Sequence, residues 1–231
     1  MPNEGANTTD PRLLVYSRTA GYRHDSIPAG IRALRLLGAR AGCAVDATED
    51  PAAFTAGGLA GYAAVIFLST SGDVLPAAGR DALRTYMAAG GAWLGIHGAA
   101  TTEYDWPYFG GLAGARFARH PAEQTATVIV EDRGHPATSH LPAAWTWHDE
   151  WYDFRANPRP GVHVLLTVDE ATYHGGTMGA DHPVAWCHEY GGGRCCYTAL
   201  GHATRTFAEP AFLRHLGGAL EWLTAPIRHW R

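Results

Sequence analysis

The sequence has no lysine: all 18 of its basic side chains are arginine. Schiff-base catalysis and P-loop phosphate binding therefore lose their usual residue. Cysteine is sparse as well. Cys43, Cys187, Cys195 and Cys196 form no C-x-x-C pair, and their apolar neighbours point to reduced, mostly buried thiols rather than a disulfide framework or a zinc ribbon. No segment reaches the roughly 18 uninterrupted apolar residues of a membrane span. The opening MPNEGANTTDPR lacks the charged flank and apolar run of a secretory signal, so the expectation is a cytoplasmic protein with no membrane partner. Charge of one sign is missing too. The 18 basic and 22 acidic side chains give a net charge of −4 with no like-charged run suited to a phosphate backbone, which argues against nucleic acid as a partner.

What is present is a core. At 231 residues and 46% hydrophobic content, the chain reads as a single α/β domain over residues 12–231, after a disordered tail over residues 1–11. RLLVYS (Arg12 to Ser17) reads as a strand. Ile27 to Gly42 has helical spacing, with Ser26 placed to cap it and Pro28 in its first turn. CAVDATED and AAVIFLST are further strands, the second a continuous apolar run of the kind found in a parallel sheet covered on both faces. Pro76 to Ala89 is a helix stopped by Gly90 and Gly91 before the strand AWLGI. This alternation predicts a doubly wound, mostly parallel, flavodoxin-like sheet with helices on both faces and ligands at the carboxyl ends of its strands.

The second half is less regular. TATVIVE and GVHVLLTV alternate as strands do, and HPVAWCHEYGGGRCCYTALGH reads as an antiparallel hairpin around a glycine-rich turn. Pro210 to Leu223 closes the fold as a helix burying Phe212, Leu216, Leu220 and Leu223, with His215 and His229 read as surface histidines.

The chemistry-bearing pattern is Gly95-Ile96-His97-Gly98-Ala99. Small residues flank one large and one polar position, the outline of a nucleophile elbow at a strand-to-turn junction, and His97 occupies the projecting position. Glu103 and Asp105 lie in the loop that follows. His24 and Asp25 follow the first strand and would face the same crevice, although Asp25 also fits a helix-capping role. Asp149 and Glu150 are adjacent, so strand alternation sends only one of them into the crevice; the choice is Glu150. His182 reads either as a ligand of the crevice or as a histidine bonded to a nearby carbonyl. Trp106 and Trp151 stand beside these polar groups, where aromatic faces commonly grip sugar rings, and are assigned to substrate binding.

TAGYRHDSIPAG (Thr19 to Gly30), GAWLGIHGAATTEYDWPYFGGLAG (Gly91 to Gly114), His120-Pro121, HDEWY (His148 to Tyr152), HPVAW (His182 to Trp186) and GRCCYTALGH (Gly193 to His202) together resemble the ThuA-like, or trehalose utilisation, family. The fold of that family is similar to that of the class I glutamine amidotransferases. The resemblance implies that an elbow cysteine has become His97, that the late-strand histidine is His202, and that Thr204 stands where an amidotransferase has glutamate. Without the thiolate, glutaminase activity is not expected. The resemblance also brings His120 to the site.

Imidazoles at both positions imply either half of a metal site or a general acid and base pair. The resulting expectation is an enzyme of sugar catabolism that cleaves or rearranges a glycoside or keto-glycoside. His97, His202, Glu103 and Glu150 would carry the chemistry, and His97, His202 and Glu150 would hold a divalent metal such as zinc. His24, Asp25, Trp106, His120, Trp151 and His182 would contact substrate. No nucleotide cofactor is expected, the partner is a small sugar or glycoside, and self-association is left open. The competing reading is a noncatalytic sugar-binding or regulatory module on the same scaffold. Dispersal of His97 and His202 would favour that reading, and convergence with a carboxylate would favour the enzyme.

Overall fold

The computed structural model describes residues 11–225. The expected tail therefore lies, apart from Pro11, outside the described residues, as does His229. In chain order the elements are β1 (Arg12–Tyr16), α1 (Ile27–Arg40), β2 (Ala44–Thr48), α2 (Ala56–Leu59), β3 (Tyr62–Leu68), α3 (Ala77–Ala88), β4 (Ala92–Ile96) and α4 (Pro107–Ala113). There follow β5 (Phe117–Arg119), β6 (Gln124–Val130), β7 (Ala144–Asp149), β8 (Asp153–Phe154), β9 (His163–Asp169), β10 (Pro183–Tyr190), β11 (Gly193–Thr198) and α5 (Pro210–Thr224).

One sheet of nine strands carries the fold, in the order β2-β1-β3-β4-β11-β10-β9-β6-β7; β5 and β8 pair separately. The first five strands run parallel, and from β11 onward each neighbour is antiparallel. The molecule is thus mixed α/β. Its antiparallel part extends beyond the expected hairpin of β10 and β11 to include β9, β6 and β7. The right-handed crossovers from β1 to β2 and from β3 to β4 step in opposite directions along the sheet, which sends α1 and α3 to opposite faces.

Burial follows the two regimes. β4 is buried at every position and β3 from Ala64 onward, as parallel strands between helical layers must be. In β6, Ala126, Val128 and Val130 are buried while Thr125 and Ile129 are exposed, the period-two pattern of a sheet with one wet face. Within β4 the packing leaves no room for a side chain at Gly95, where an added Cβ would lie 2.3 Å from the Trp93 ring. Cys187, Cys195 and Cys196 are thiols buried in β10 and β11.

Two local expectations are corrected. Ser26 stands at the N-cap of α1 without a side-chain cap bond; its hydroxyl donates instead to the Gly201 carbonyl at 3.3 Å, tying the helix start to the loop after β11. His215 is buried, not superficial, because it shares the inward face of α5 with Phe212 and Leu216. It bonds the Ala137 carbonyl through Nδ1 at 2.9 Å, and burial pushes its pKa down to about 4.

Candidate functional site

Four side chains from distant parts of the chain meet at the carboxyl end of the parallel strands. His24 lies on the loop after β1, His97 directly follows β4, Glu150 directly follows β7, and His202 lies beyond β11. The β4–β11 register sets Ile96 against Thr198, so the next residues, His97 and Ala199, leave the sheet side by side. There the Ala199 carbonyl accepts a hydrogen bond from His97 Nδ1 at 2.6 Å, and the Tyr197 hydroxyl donates to the His97 carbonyl at 2.8 Å. These contacts hold His97 at φ 49°, a left-handed conformation that costs a non-glycine residue roughly 1 kcal/mol. A small residue must follow: a Cβ on Gly98 would lie 3.2 Å from both the His24 ring and the Ser69 backbone.

Asp149 and Glu150 divide the work as alternation requires. The Asp149 carboxylate turns inward and accepts from Trp147 Nε1 at 2.9 Å and from the backbone N–H groups of Gly201 and His202, each at 3.0 Å. It thereby pins the loop that carries His202. Glu150 points into the cleft, with Oε2 3.4 Å from His97 Nε2 and 3.3 Å from His202 Nδ1, while Oε1 lies 3.1 Å from His120 Nδ1.

The outer hydrogen bonds fix which atoms face inward. A carbonyl or carboxylate can only accept, so Ala199 holds the proton of His97 on Nδ1, and Glu123, 2.7 Å from His202 Nε2, holds a proton there. His97 Nε2 and His202 Nδ1 remain as the inward nitrogens, 3.3 Å apart. Together with Glu150 Oε2 they form a triangle with edges of 3.3 to 3.4 Å. That is the edge of a tetrahedron with metal–ligand bonds of about 2.1 Å. His24 completes the set, with all four ligand atoms within 4.8 Å of one another. Its buried Nδ1 has no hydrogen-bond partner.

The electrostatics match this crowding. Burial, reinforced by the charges of His97 and His202, pushes His24 down to about 3, so its ring is neutral near neutral pH. Burial alone would raise the Glu150 carboxyl, but hydrogen bonds and charge from His202 and His97 prevail and hold it far below the usual range. The bond to Glu150 raises His202. Burial holds the Tyr152 hydroxyl well above its ordinary value, so it remains a donor, 3.0 Å from His97 Nε2.

Of the cluster, His24 and Glu150 line a pocket of about 430 Å³, together with Tyr22, Ser71, Phe117, His120 and Tyr152, and His97 and His202 stand behind them. Several expected residues are placed elsewhere. Glu103 is buried as a structural acid: it accepts from the Val74 and Leu75 backbone N–H groups at 2.8 and 2.7 Å and pairs with Arg80 at 2.5 Å. Trp106 stacks on Tyr108 beneath Arg80 and Arg84, and Trp151 is buried with its Nε1 donating to the Gln124 carbonyl. Asp25 is exposed and does not line the pocket. His182 is fully buried behind Tyr152, where Nε2 donates to the Tyr152 carbonyl at 2.9 Å and Nδ1 meets Glu170 at 2.8 Å.

Tyr22, Glu123 and Tyr152 were not expected at the site. Tyr152 stands two positions from Glu150, a spacing that carried the signal. Glu123 arrives through the β6–β7 register, Gln124 against Asp149, which no local pattern reveals.

Among the described residues no helix is long and apolar enough to cross a membrane. A comparison with curated proteins finds no match. A thuA-like protein from Bacteroides uniformis ATCC 8492 superposes with a TM-score of 0.78 at 26% identity, covering 96% of this chain and 95% of the other. A second, from Parabacteroides merdae ATCC 43184, gives 0.77 at 19% identity, with 94% and 91% covered. The β-galactosidase of Bacillus circulans sp. alkalophilus shares the fold over 31% of its length, matching 92% of this chain with a TM-score of 0.58 at 12% identity. The ThuA family model, described as trehalose utilisation, matches residues 12–223, and the chain belongs to that family.

Proposed function

We propose that this chain is a cytoplasmic carbohydrate-processing enzyme that cleaves or rearranges a glycoside or keto-glycoside with the help of a divalent cation such as zinc. The observation that carries the reading is the triangle of His97 Nε2, His202 Nδ1 and Glu150 Oε2, with edges of 3.3 to 3.4 Å and His24 beside it. Each of the first two imidazoles donates its outer N–H to an oxygen, the arrangement that orients metal-bound histidines. Family membership supports sugar as the substrate class.

A cation here supplies Lewis acidity toward a carbonyl or hydroxyl of the substrate. His120 is the proton-transfer group. Its Nδ1 faces the Pro121 carbonyl at 2.9 Å and Glu150 Oε1 at 3.1 Å, which keeps the proton on Nδ1 and leaves Nε2 as the accepting nitrogen of a ring that lines the pocket. In a keto-glycoside the C–H bond next to the carbonyl breaks and its proton passes to Nε2. The electron pair then expels the glycosidic oxygen, which takes that proton as it leaves; water adding across the new double bond completes hydrolysis.

The test is elemental analysis of tag-free protein, wild type beside His97→Ala, followed by turnover of keto-glycosides. Near-stoichiometric metal in the wild type, lost in the variant together with more than about 100-fold of the turnover, is the expected result. Sugar binding by a wild type that holds no metal and turns nothing over would overturn it in favour of the noncatalytic module.

A further inference from the structure

Three large apolar side chains stand exposed among the described residues, Tyr22, Leu36 and Ile129; Tyr22 is the most exposed at 68%, and of the three it alone lines the pocket. An aromatic ring left in water at a cleft mouth is a cost the fold has not removed. Its backbone is nevertheless held firmly. The Ser71 hydroxyl donates to the Tyr22 carbonyl at 2.6 Å, and the Ser71 carbonyl accepts from Ala20 and Gly21 N–H at 2.7 and 3.2 Å. Gly72 packs beneath this loop at φ 72°, where a Cβ would lie 3.0 Å from the Gly21 nitrogen. A rigid loop thus presents an exposed aromatic face on a side chain with only two torsions to freeze on contact.

The position of the ring gives it a task. Tyr22 meets the His24 imidazole edge to face at a centroid distance of 4.8 Å, so whatever lies on the tyrosine is carried beside the histidine cluster. Phe117, half-buried in β5 and packed on Tyr152 at 4.5 Å, gives the same pocket a second aromatic wall. Polar groups stand at one side and aromatic faces at the mouth. This suits a ring with one apolar C–H face and hydroxyls around its edge.

We propose that Tyr22 is the stacking platform of a pyranose-binding subsite, with Phe117 as its second wall. The inference rests on the carbohydrate reading above and adds to it the residue that selects a ring over an open chain. At 68% exposure Tyr22 buries little apolar area, so its truncation spares the fold, and metal content checks the one neighbour it shares with the cation cluster, His24.

The test is an NMR titration of the metal-loaded, full-length chain with methyl α-D-glucopyranoside, its 3-keto derivative and the acyclic polyol sorbitol, with metal content measured on every sample. The expected result is that Tyr22→Ala and Tyr22→Leu each weaken binding of the two pyranosides at least about tenfold. Tyr22→Phe and Tyr22→Trp stay within about threefold of wild type, sorbitol binds far more weakly than either ring, and metal content is constant throughout. Binding by Tyr22→Leu that equals wild type, or sorbitol binding that equals the pyranosides, would overturn the platform while leaving the carbohydrate reading intact. A wild type that holds its metal yet binds neither pyranoside would overturn both.

Discussion

Two groups of histidine and carboxylate, each mostly buried, lie on either side of Tyr152, and they differ in what is left over. Toward the pocket are His24, His97, Glu150 and His202; behind it are Asp153, Glu170 and His182. The rear group is closed. Asp153 accepts from the Thr177 N–H and hydroxyl at 3.2 and 2.6 Å, Glu170 accepts from Met178 N–H at 2.8 Å, and both His182 nitrogens are engaged. The front group is open: His24 Nδ1 has no partner, and two inward nitrogens crowd one carboxylate oxygen. Both groups mix histidine with carboxylate, three to one in front and one to two behind. What separates a structural lock from a candidate reactive site is whether the hydrogen-bonding capacity is used up.

That comparison breaks most visibly at His182. His182→Ala strands Glu170 and the Tyr152 carbonyl, and urea unfolding is expected to show a loss of about 3 kcal/mol, with the metal affinity of the folded protein nearly unchanged. Loss of metal without loss of stability would erase the distinction. Asp149→Asn probes the front group from outside: the Gly201 and His202 N–H groups bind different oxygens of the carboxylate, so an amide keeps one acceptor and turns a donor on the other, loosening the loop that aims His202. Competition with a chelating dye is expected to give roughly 10- to 100-fold weaker metal binding.

The smallest effect comes from pH. His202 is raised by Glu150, so it carries an extra proton from low pH to somewhat above its ordinary value of 6.5, and a cation must displace that proton. Metal affinity should therefore rise with pH through this window, by at most about tenfold per unit for the one proton involved, and level off above it. Titrations at pH 6, 7 and 8 check the slope. His202→Ala should flatten the part that His202 supplies.

Much of the parallel half was legible because its strands are continuous apolar runs between helices with clear stops, and His97 stood out through its small neighbours. Glu150 was legible by alternation. The antiparallel half was harder, since long-range register decides which residues meet; Glu123 reaches His202 only because Gln124 pairs with Asp149. Aromatic direction was illegible in the same way. Trp106 and Trp151 lie beside polar residues in sequence yet point into the core, while Tyr22 turns outward from an otherwise unremarkable loop. Glu103 attracted attention as an acid after the elbow, but it caps the Val74–Leu75 backbone instead.

The four residues of the front group come from positions 24, 97, 150 and 202, and so from both the parallel and the antiparallel parts of the sheet. Only a stretch that runs at least from residue 24 to residue 202 contains the whole set. A cation bound there is thermodynamically a clasp across the entire domain: its binding energy counts only when both halves are folded together, and it would raise the global unfolding free energy by RT ln(1 + [M]/Kd) rather than stiffening one loop.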